Sequence, residues 1–277
     1  QIYYFFNNLN KAQISFKKSI NWFENQNHGK IWNFAINKFI GKDITIGFQC
    51  IVPVKMYLSQ YFITNQEINS GVIPSIIYTV GDFTYNNLKN IPLTVISGPS
   101  IRFQHLYDSD QYKISKKILF VALPYMPSET HSILTIVKNL PSHLLTIFDL
   151  KIKFHPTYHH SQITKIMKKF NFSKSLIDNN INISNLNNSS FLLTGMSGIA
   201  VESIVMKINT ILLNFNSNLV FNPIPDILLN NENIFYIEKV SELVKVLQLK
   251  INNNHSVNDI NLIFNKPNKS LVKEIFV

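Results

Sequence analysis

The stretch FLLTGMSGIAVESIVMKINTILL, residues 191–213, holds the change of hydrophobic period on which the fold turns. Phe191-Leu-Leu193 is an unbroken apolar run, as in a strand buried on both faces. The run stops at Thr194-Gly195, turns through Met196-Ser197, and from Gly198 to about Lys207 resumes at helical spacing around one acid, Glu202. Thr210-Ile-Leu-Leu213 is strand-like again. Strand, turn, helix and strand make one βαβ unit. The first N–H groups of such a helix lack internal partners, and the helix dipole adds positive character there. Gly195 and Gly198 leave room for an anionic group, while Thr194 and Ser197 bring hydroxyls suited to phosphate oxygens. Glu202, one turn deeper on the face of Gly198, can accept hydrogen bonds from a ribose diol. The plainer alternative is a Ser or Gly N-cap followed by a buried acid with a local partner.

The same alternation extends outward. Residues 117–124 form an apolar run ending at Pro124, and Ser128 to Asn139 follows at helical spacing, with Ser128 as N-cap and Pro141 as stop. Leu144 to Phe154 is another apolar run, halting at His155-Pro156, and His160 to Phe170 is an amphipathic helix with Lys165, Lys168 and Lys169 outward. Ser241 to Leu249 closes the series. Strands alternating with such helices predict a parallel sheet, which binds ligands beyond its carboxyl ends. His155-Pro156 and Thr194-Gly195 both stand at such ends and are expected to face one cleft. Pro156 fixes the backbone after His155, whose imidazole suits a phosphate or leaving group. A lone His capping a strand is the bland reading. His159 and His160 complete HPTYHH, but no Asp, Glu or Cys accompanies them, so no metal site is expected.

The first half is less orderly. Residues 2–39 look helical and rich in aromatics, and strands are expected over 44–53, 76–80 and 93–96. They suggest a second α/β unit, with a boundary in the polar segment near residues 107–113. The domains expected are therefore 1–112 and 113–277, the last segment packing back on the first. Gln49, in Gly47-Phe-Gln-Cys50, and Arg102, in Gly98-Pro-Ser-Ile-Arg102, are candidates for lining a cleft, although ordinary loop chemistry explains each. Gln1 opens inside what reads as folded sequence, so the first domain is expected to be incomplete.

Composition narrows the classes. The 277 residues are 45% hydrophobic and 15% charged, with a formal charge of +10. That favours anionic partners, yet no zinc-finger spacing, RNP-type aromatic motif or GXXG loop supports nucleic acid. Runs such as NNENI and INNNH read as solvated connectors. Cys50 is the only cysteine, which excludes an intrachain disulfide and suits a reducing, cytoplasmic compartment. No uninterrupted apolar run reaches the roughly 18 residues of a spanning helix. With no G-x-S-x-G, P-loop or G-x-G-x-x-G, the usual hydrolase, NTPase and dehydrogenase readings have no motif behind them.

Together, Lys151-Ile-Lys-Phe-His-Pro156, Leu193-Thr-Gly-Met-Ser-Gly-Ile-Ala-Val-Glu202 and Ile208-Asn-Thr-Ile-Leu-Leu213 resemble the C-terminal half of GT-B glycosyltransferases that build bacterial surface polysaccharides. The His-Pro element and serine-bearing turn are also similar to those of bacterial sialyltransferases and CDP-glycerol glycerophosphotransferases. Residues 221–225 and Ile234 to Glu242 resemble the region after the donor site. The resemblance covers roughly residues 115 to 250. It implies an α/β, GT-B-like fold of two Rossmann-like domains and a metal-independent transferase without cofactor. A nucleotide-sugar donor would give its sugar to a surface glycan or lipid-linked acceptor, at the inner face of the cytoplasmic membrane with peripheral contact to anionic lipid. His155 would then be catalytic, contacting the donor phosphate, and Pro156, Thr194, Gly195, Ser197, Gly198 and Glu202 would bind phosphate and ribose. Gly47-Phe-Gln-Cys-Ile-Val-Pro53 and the passage from Ile73 through Gly81 look like a loop and strand of putative surface-carbohydrate synthesis proteins, in which a histidine is often expected where this chain has Cys50. A non-catalytic scaffold protein and a UDP-sugar 2-epimerase on the same fold are the alternatives, the latter needing further carboxylates near the donor.

Overall fold

A computed structural model describes residues 1–53, 58–107, 116–214, 222–249 and 260–276. The chain divides into two compact units, Gln1–Gln104 with Asp259–Val277, and His105–Asn258. The boundary expected between 112 and 113 lies outside the described residues.

The first unit runs α1 (Ile2–Lys11), β1 (Ser19–Trp22), α2 (Asn27–Phe39), β2 (Thr45–Phe48), α3 (Leu58–Tyr61), α4 (Asn65–Asn69), β3 (Ile76–Thr79), α5 (Asp82–Leu88) and β4 (Thr94–Ser97). Its four strands are parallel in the order β1-β2-β3-β4. Side chains alternate across the sheet. Ile46, Phe48 and Tyr78 pack on one face, with the Phe48 and Tyr78 rings stacked at 4.9 Å, and Phe23, Ile73 and Ile77 pack on the other. The stretch expected to be helical from 2 to 39 therefore contains a strand. Only four residues long, β1 is too short to show a period between Lys17-Lys18 and Glu24.

In the second unit, β5 (Ile118–Ala122), α6 (Pro127–Lys138), α7 (Ser142–Ile147), β6 (Asp149–Lys153), α8 (His160–Phe170), β7 (Phe191–Thr194), α9 (Ile199–Val205), β8 (Asn209–Leu213), β9 (Ile234–Ile237) and α10 (Val240–Leu247) follow one another. The sheet is parallel throughout, in the order β6-β5-β7-β8-β9. Leu119, Val121, Leu193 and Ile211 enter a core with α6, α8 and α10, while Ile118, Phe120 and Leu192 enter the opposite one. Burial on both faces is why these strands read as continuous apolar runs. Each such buried Leu or Ile contributes about 1.5–3 kcal/mol.

Three expectations are corrected. The run from Leu144 to Phe154 splits, because Ser142–Ile147 makes a helical turn before β6 begins at Asp149. Helix α6 starts at Pro127 with Met126 as N-cap, so Ser128 lies inside it: the fixed φ of Pro suits the first helical position. The Asn runs are not all solvated. Asn233, in NNENI, is buried and donates to the Ile208 carbonyl; Asn209, a buried residue outside those runs, donates to the carbonyls of Asn188 and Ser190 at the same amino edge of the sheet.

Two last helices, α11 (Ile260–Ile263) and α12 (Lys269–Phe276), belong to the first unit. Ile275 packs against Ile46, Phe48 and Tyr78, and buried Phe264 lies 4.2 Å from the Phe103 ring.

Candidate functional site

The strand order of the second unit locates a site before any residue is named. From β5 the chain passes to β6 on one side, then returns to β7 on the other, so the order reverses between β5 and β7. At such a reversal the loops leaving the carboxyl ends part and open a crevice. Pairing of Ala122 with both Lys153 and Thr194 brings the three strand ends level. The loops after them carry Tyr125, His155 and Gly195–Gly198. In the first unit the order never reverses, so its described strands form no equivalent point.

His155 is half-buried and its Nδ1 lies 2.8 Å from the Thr157 hydroxyl. The Thr157 backbone N–H donates to the same nitrogen at 3.3 Å, which assigns the ring proton to Nε2. The exposed Tyr125 ring stands 6.1 Å from the imidazole, and Pro156 is exposed. His159 takes a separate course at the start of α8, where its N–H donates to Gln162. Among the described residues no group of three metal-binding side chains assembles.

The turn from β7 to α9 differs from its sequence reading in two respects. Thr194 is wholly buried and its hydroxyl donates to the Ala122 carbonyl at 2.8 Å, which ties β7 to β5 and keeps the hydroxyl in the sheet. The Met196 N–H donates at 2.9 Å to the carboxyl of Glu129 in the first turn of α6, a residue the sequence reading missed. Glu129 is only 1% exposed, its other oxygen, Oε1, has no hydrogen-bond partner, and burial holds its carboxyl above the usual range. It latches together the two turns that flank the crevice. A phosphate at this turn would therefore meet the N–H groups of Ser197, Gly198 and Ile199, which precede the first helical bond, from Ala200 to the Ser197 carbonyl. Ser197 is half-exposed and Gly198 faces open space.

Glu202 has a local partner: His105 Nε2 lies 2.8 Å from its Oε2. In the first unit, Gln49 is buried and neither polar atom of its amide has a hydrogen-bond partner. Exposed Arg102 donates to the Cys50 carbonyl at 3.0 Å. The Cys50 thiol donates to Glu24 at 3.2 Å, and burial, then the Glu24 carboxylate, push its pKa to about 11. It remains a thiol at neutral pH, where the resemblance would place a titrating histidine.

The raised Glu129 carboxyl has a consequence for stability. The folded chain holds this proton more tightly than the unfolded chain does. The stability it contributes is full below the ordinary value of 4.5 and is lost as pH rises through the folded value. Glu129→Gln keeps the shape and an acceptor for Met196 but removes the titration. The melting temperature of the variant is expected to rise relative to wild type as pH increases from about 4.5. A difference constant with pH would contradict a raised folded-state value.

No family model and no curated protein match the sequence. Solved structures are similar to it, among them these two. One is the Methanocaldococcus jannaschii UDP-GlcNAc 2-epimerase in complex with UDP-GlcNAc and UDP. It is 14% identical, with a TM-score of 0.55, over 99% of this chain and 79% of that one. A second structure of the M. jannaschii UDP-GlcNAc 2-epimerase is 13% identical, with a TM-score of 0.54, over 99% of this chain and 80% of that one. At such identities the likeness bears on the fold, and the parallel sheets agree: the chain has a GT-B-like α/β fold of two Rossmann-like domains.

Proposed function

We propose that the chain is an enzyme acting on a nucleotide-activated sugar, held at the carboxyl edge of the second sheet between the β5–α6 and β7–α9 turns. The observation that carries this reading is the strand reversal, with Tyr125, His155 and the Ser197–Gly198 turn at its mouth. In this arrangement Nε2–H of His155 and the Ser197 hydroxyl bind phosphate oxygens, and the exposed Tyr125 ring offers a stacking face for the base. Gly195 and Thr194 shape the turn from within. Glu202 keeps the role of ribose acceptor only through the carboxylate capacity that His105 leaves over. Charge developing on the leaving phosphate would be met by the imidazole and backbone donors.

Two chemistries fit this site. Epimerisation of a UDP-sugar is favoured by the comparisons, since the two solved structures named above are UDP-GlcNAc 2-epimerases. Transfer to a surface glycan or lipid-linked acceptor, at the cytoplasmic membrane face, rests on the resemblance of the His-Pro and Ser-Gly elements. Among the described residues no helix is long and apolar enough to cross a membrane. Incubating the chain with UDP-GlcNAc alone and following the anomeric protons by NMR separates them. A second UDP-sugar appearing without acceptor supports epimerisation. Release of UDP that requires added acceptor supports transfer. Nucleotide binding with neither product would point to the non-catalytic alternative.

A further inference from the structure

Three loops border the crevice of the second unit, and the first turn of α6 is bonded to each of them. The Thr130 hydroxyl, wholly buried, donates to the Pro124 carbonyl in the β5–α6 loop at 3.1 Å and accepts from the Tyr158 hydroxyl of the β6–α8 loop at 3.1 Å. Its neighbour Glu129 accepts the Met196 N–H of the β7–α9 turn. Thr130 thereby uses its one donor. Glu129 is as deeply buried, yet its Oε1 has no hydrogen-bond partner.

That bare oxygen bears on the charge of the carboxyl. As a carboxylate, Glu129 would be a buried charge with one oxygen unsatisfied, and among the described residues no cation pairs with it. As an acid, it accepts from Met196 through a carbonyl Oε2 and keeps its proton on Oε1, which leaves a neutral donor without a partner, a far smaller cost. Burial acts in the same direction, against the Met196 bond. The titratable groups on the surrounding elements are turned to other partners. His131 on α6 bonds the Pro127 carbonyl, Lys153 at the end of β6 donates to the Ile181 carbonyl, and His155 and Tyr158 meet Thr157 and Thr130. On α9, Glu202 pairs with His105, and Tyr125 is exposed. A phosphate on the N–H groups of Ser197, Gly198 and Ile199 would begin one residue beyond Met196, so an ionised Glu129 would set a second negative charge beneath it in dry surroundings.

On the basis of the nucleotide site proposed above, we propose that Glu129 is a positioning residue for the nucleotide that acts as an uncharged acid. It fixes the Met196 N–H, and with it the turn on which the phosphates rest, without opposing their charge. Calorimetric titration of the full chain with UDP-GlcNAc, UDP, CDP, CMP and GDP, from about pH 5 to about pH 9, tests the role. The chains compared are wild type, Glu129→Ala, Glu129→Gln and, as a marker of the site, Ser197→Ala, with circular dichroism verifying that each folds. At the acid end, Glu129→Ala is expected to bind the preferred nucleotide roughly tenfold more weakly than wild type, and Glu129→Gln to recover most of that loss. As pH rises and wild type loses the proton, its affinity should fall behind that of Glu129→Gln; titration of His155 and of the nucleotide is common to both chains and cancels in the ratio. Wild type binding roughly tenfold more tightly than Glu129→Gln at neutral pH would make the carboxylate the acting form and overturn the proposal. So would Glu129→Ala that binds as wild type does while Ser197→Ala does not, a result that keeps the site and removes this residue from it. A folded chain that binds none of the five overturns the role and the site together.

Discussion

Gly81→Ala is expected to destabilise the first unit by about 3 kcal/mol, near the upper end for an overpacked core. The backbone at Gly81 is extended, so any residue could adopt it; the obstacle is space. A Cβ here would stand 2.6 Å from the carbonyl carbon of Ile263 and 3.0 Å from the nitrogen of Phe264. Both are backbone atoms of a segment anchored on either side, and they cannot swing away as a side chain would. The Asn265 N–H donates to Val80, the Ser100 N–H donates to Asn265, and Ile263 and Phe264 are wholly buried. The added methyl must push the segment off the β3–α5 turn. Chemical denaturation should show a lowered midpoint, and hydrogen exchange should speed up at Phe264 and Asn265. An unchanged midpoint with both amides still protected would mean that the segment docks elsewhere.

Gly195→Ala should damage the candidate site most. A Cβ at this position falls well inside contact distance of Glu129 Oε2, and lies 3.3 Å from Cδ and 3.5 Å from Pro124 Cγ. A carboxylate on a surface would step aside, but Glu129 is buried with the Met196 N–H fixing it. The latch has to break, leaving the Met196 N–H without its acceptor and the carboxyl without its donor. The cost is roughly 2 kcal/mol for the contact and lost hydrogen bond together. Since the Gly195–Gly198 turn shifts with it, nucleotide binding should weaken by at least about tenfold, a loss of roughly 1.4 kcal/mol. The mechanism has a specific signature. Combined with Glu129→Ala, which removes the obstacle, Gly195→Ala should cost much less than it does alone. Additive losses would show that the two residues act independently.

The β-α alternation of the second unit was legible because its strands are buried on both faces and its helix α8 is cleanly amphipathic. β1 was not, since Ser19-Ile-Asn-Trp22 mixes a buried Ser with an exposed Trp at the sheet edge. β9, Ile234–Ile237, is hidden in the same way, because exposed Tyr236 interrupts its apolar run. Gly195 was read as room for a ligand, and the structure fills that room with the Glu129 carboxyl. No local pattern announces that pairing, because α6 and β7 are brought together only by the strand order. One signal was present: an acid in the first turn of a helix that leaves a strand end. Thr194 misled for a similar reason. A hydroxyl at the end of a central strand can serve a ligand or its neighbouring strand, and only the register with Ala122 decides which.

The central claim is that the crevice between β5 and β7 binds a nucleotide-activated sugar. Calorimetric titration with UDP-GlcNAc, UDP, CDP, CMP and GDP, repeated on His155→Ala and Ser197→Ala, tests it most directly. One nucleotide is expected to bind selectively, and each folded variant to lose about tenfold or more in affinity, roughly the worth of one charge-assisted hydrogen bond. A well-folded chain that binds none of them, or one whose binding both substitutions leave unchanged, would contradict it.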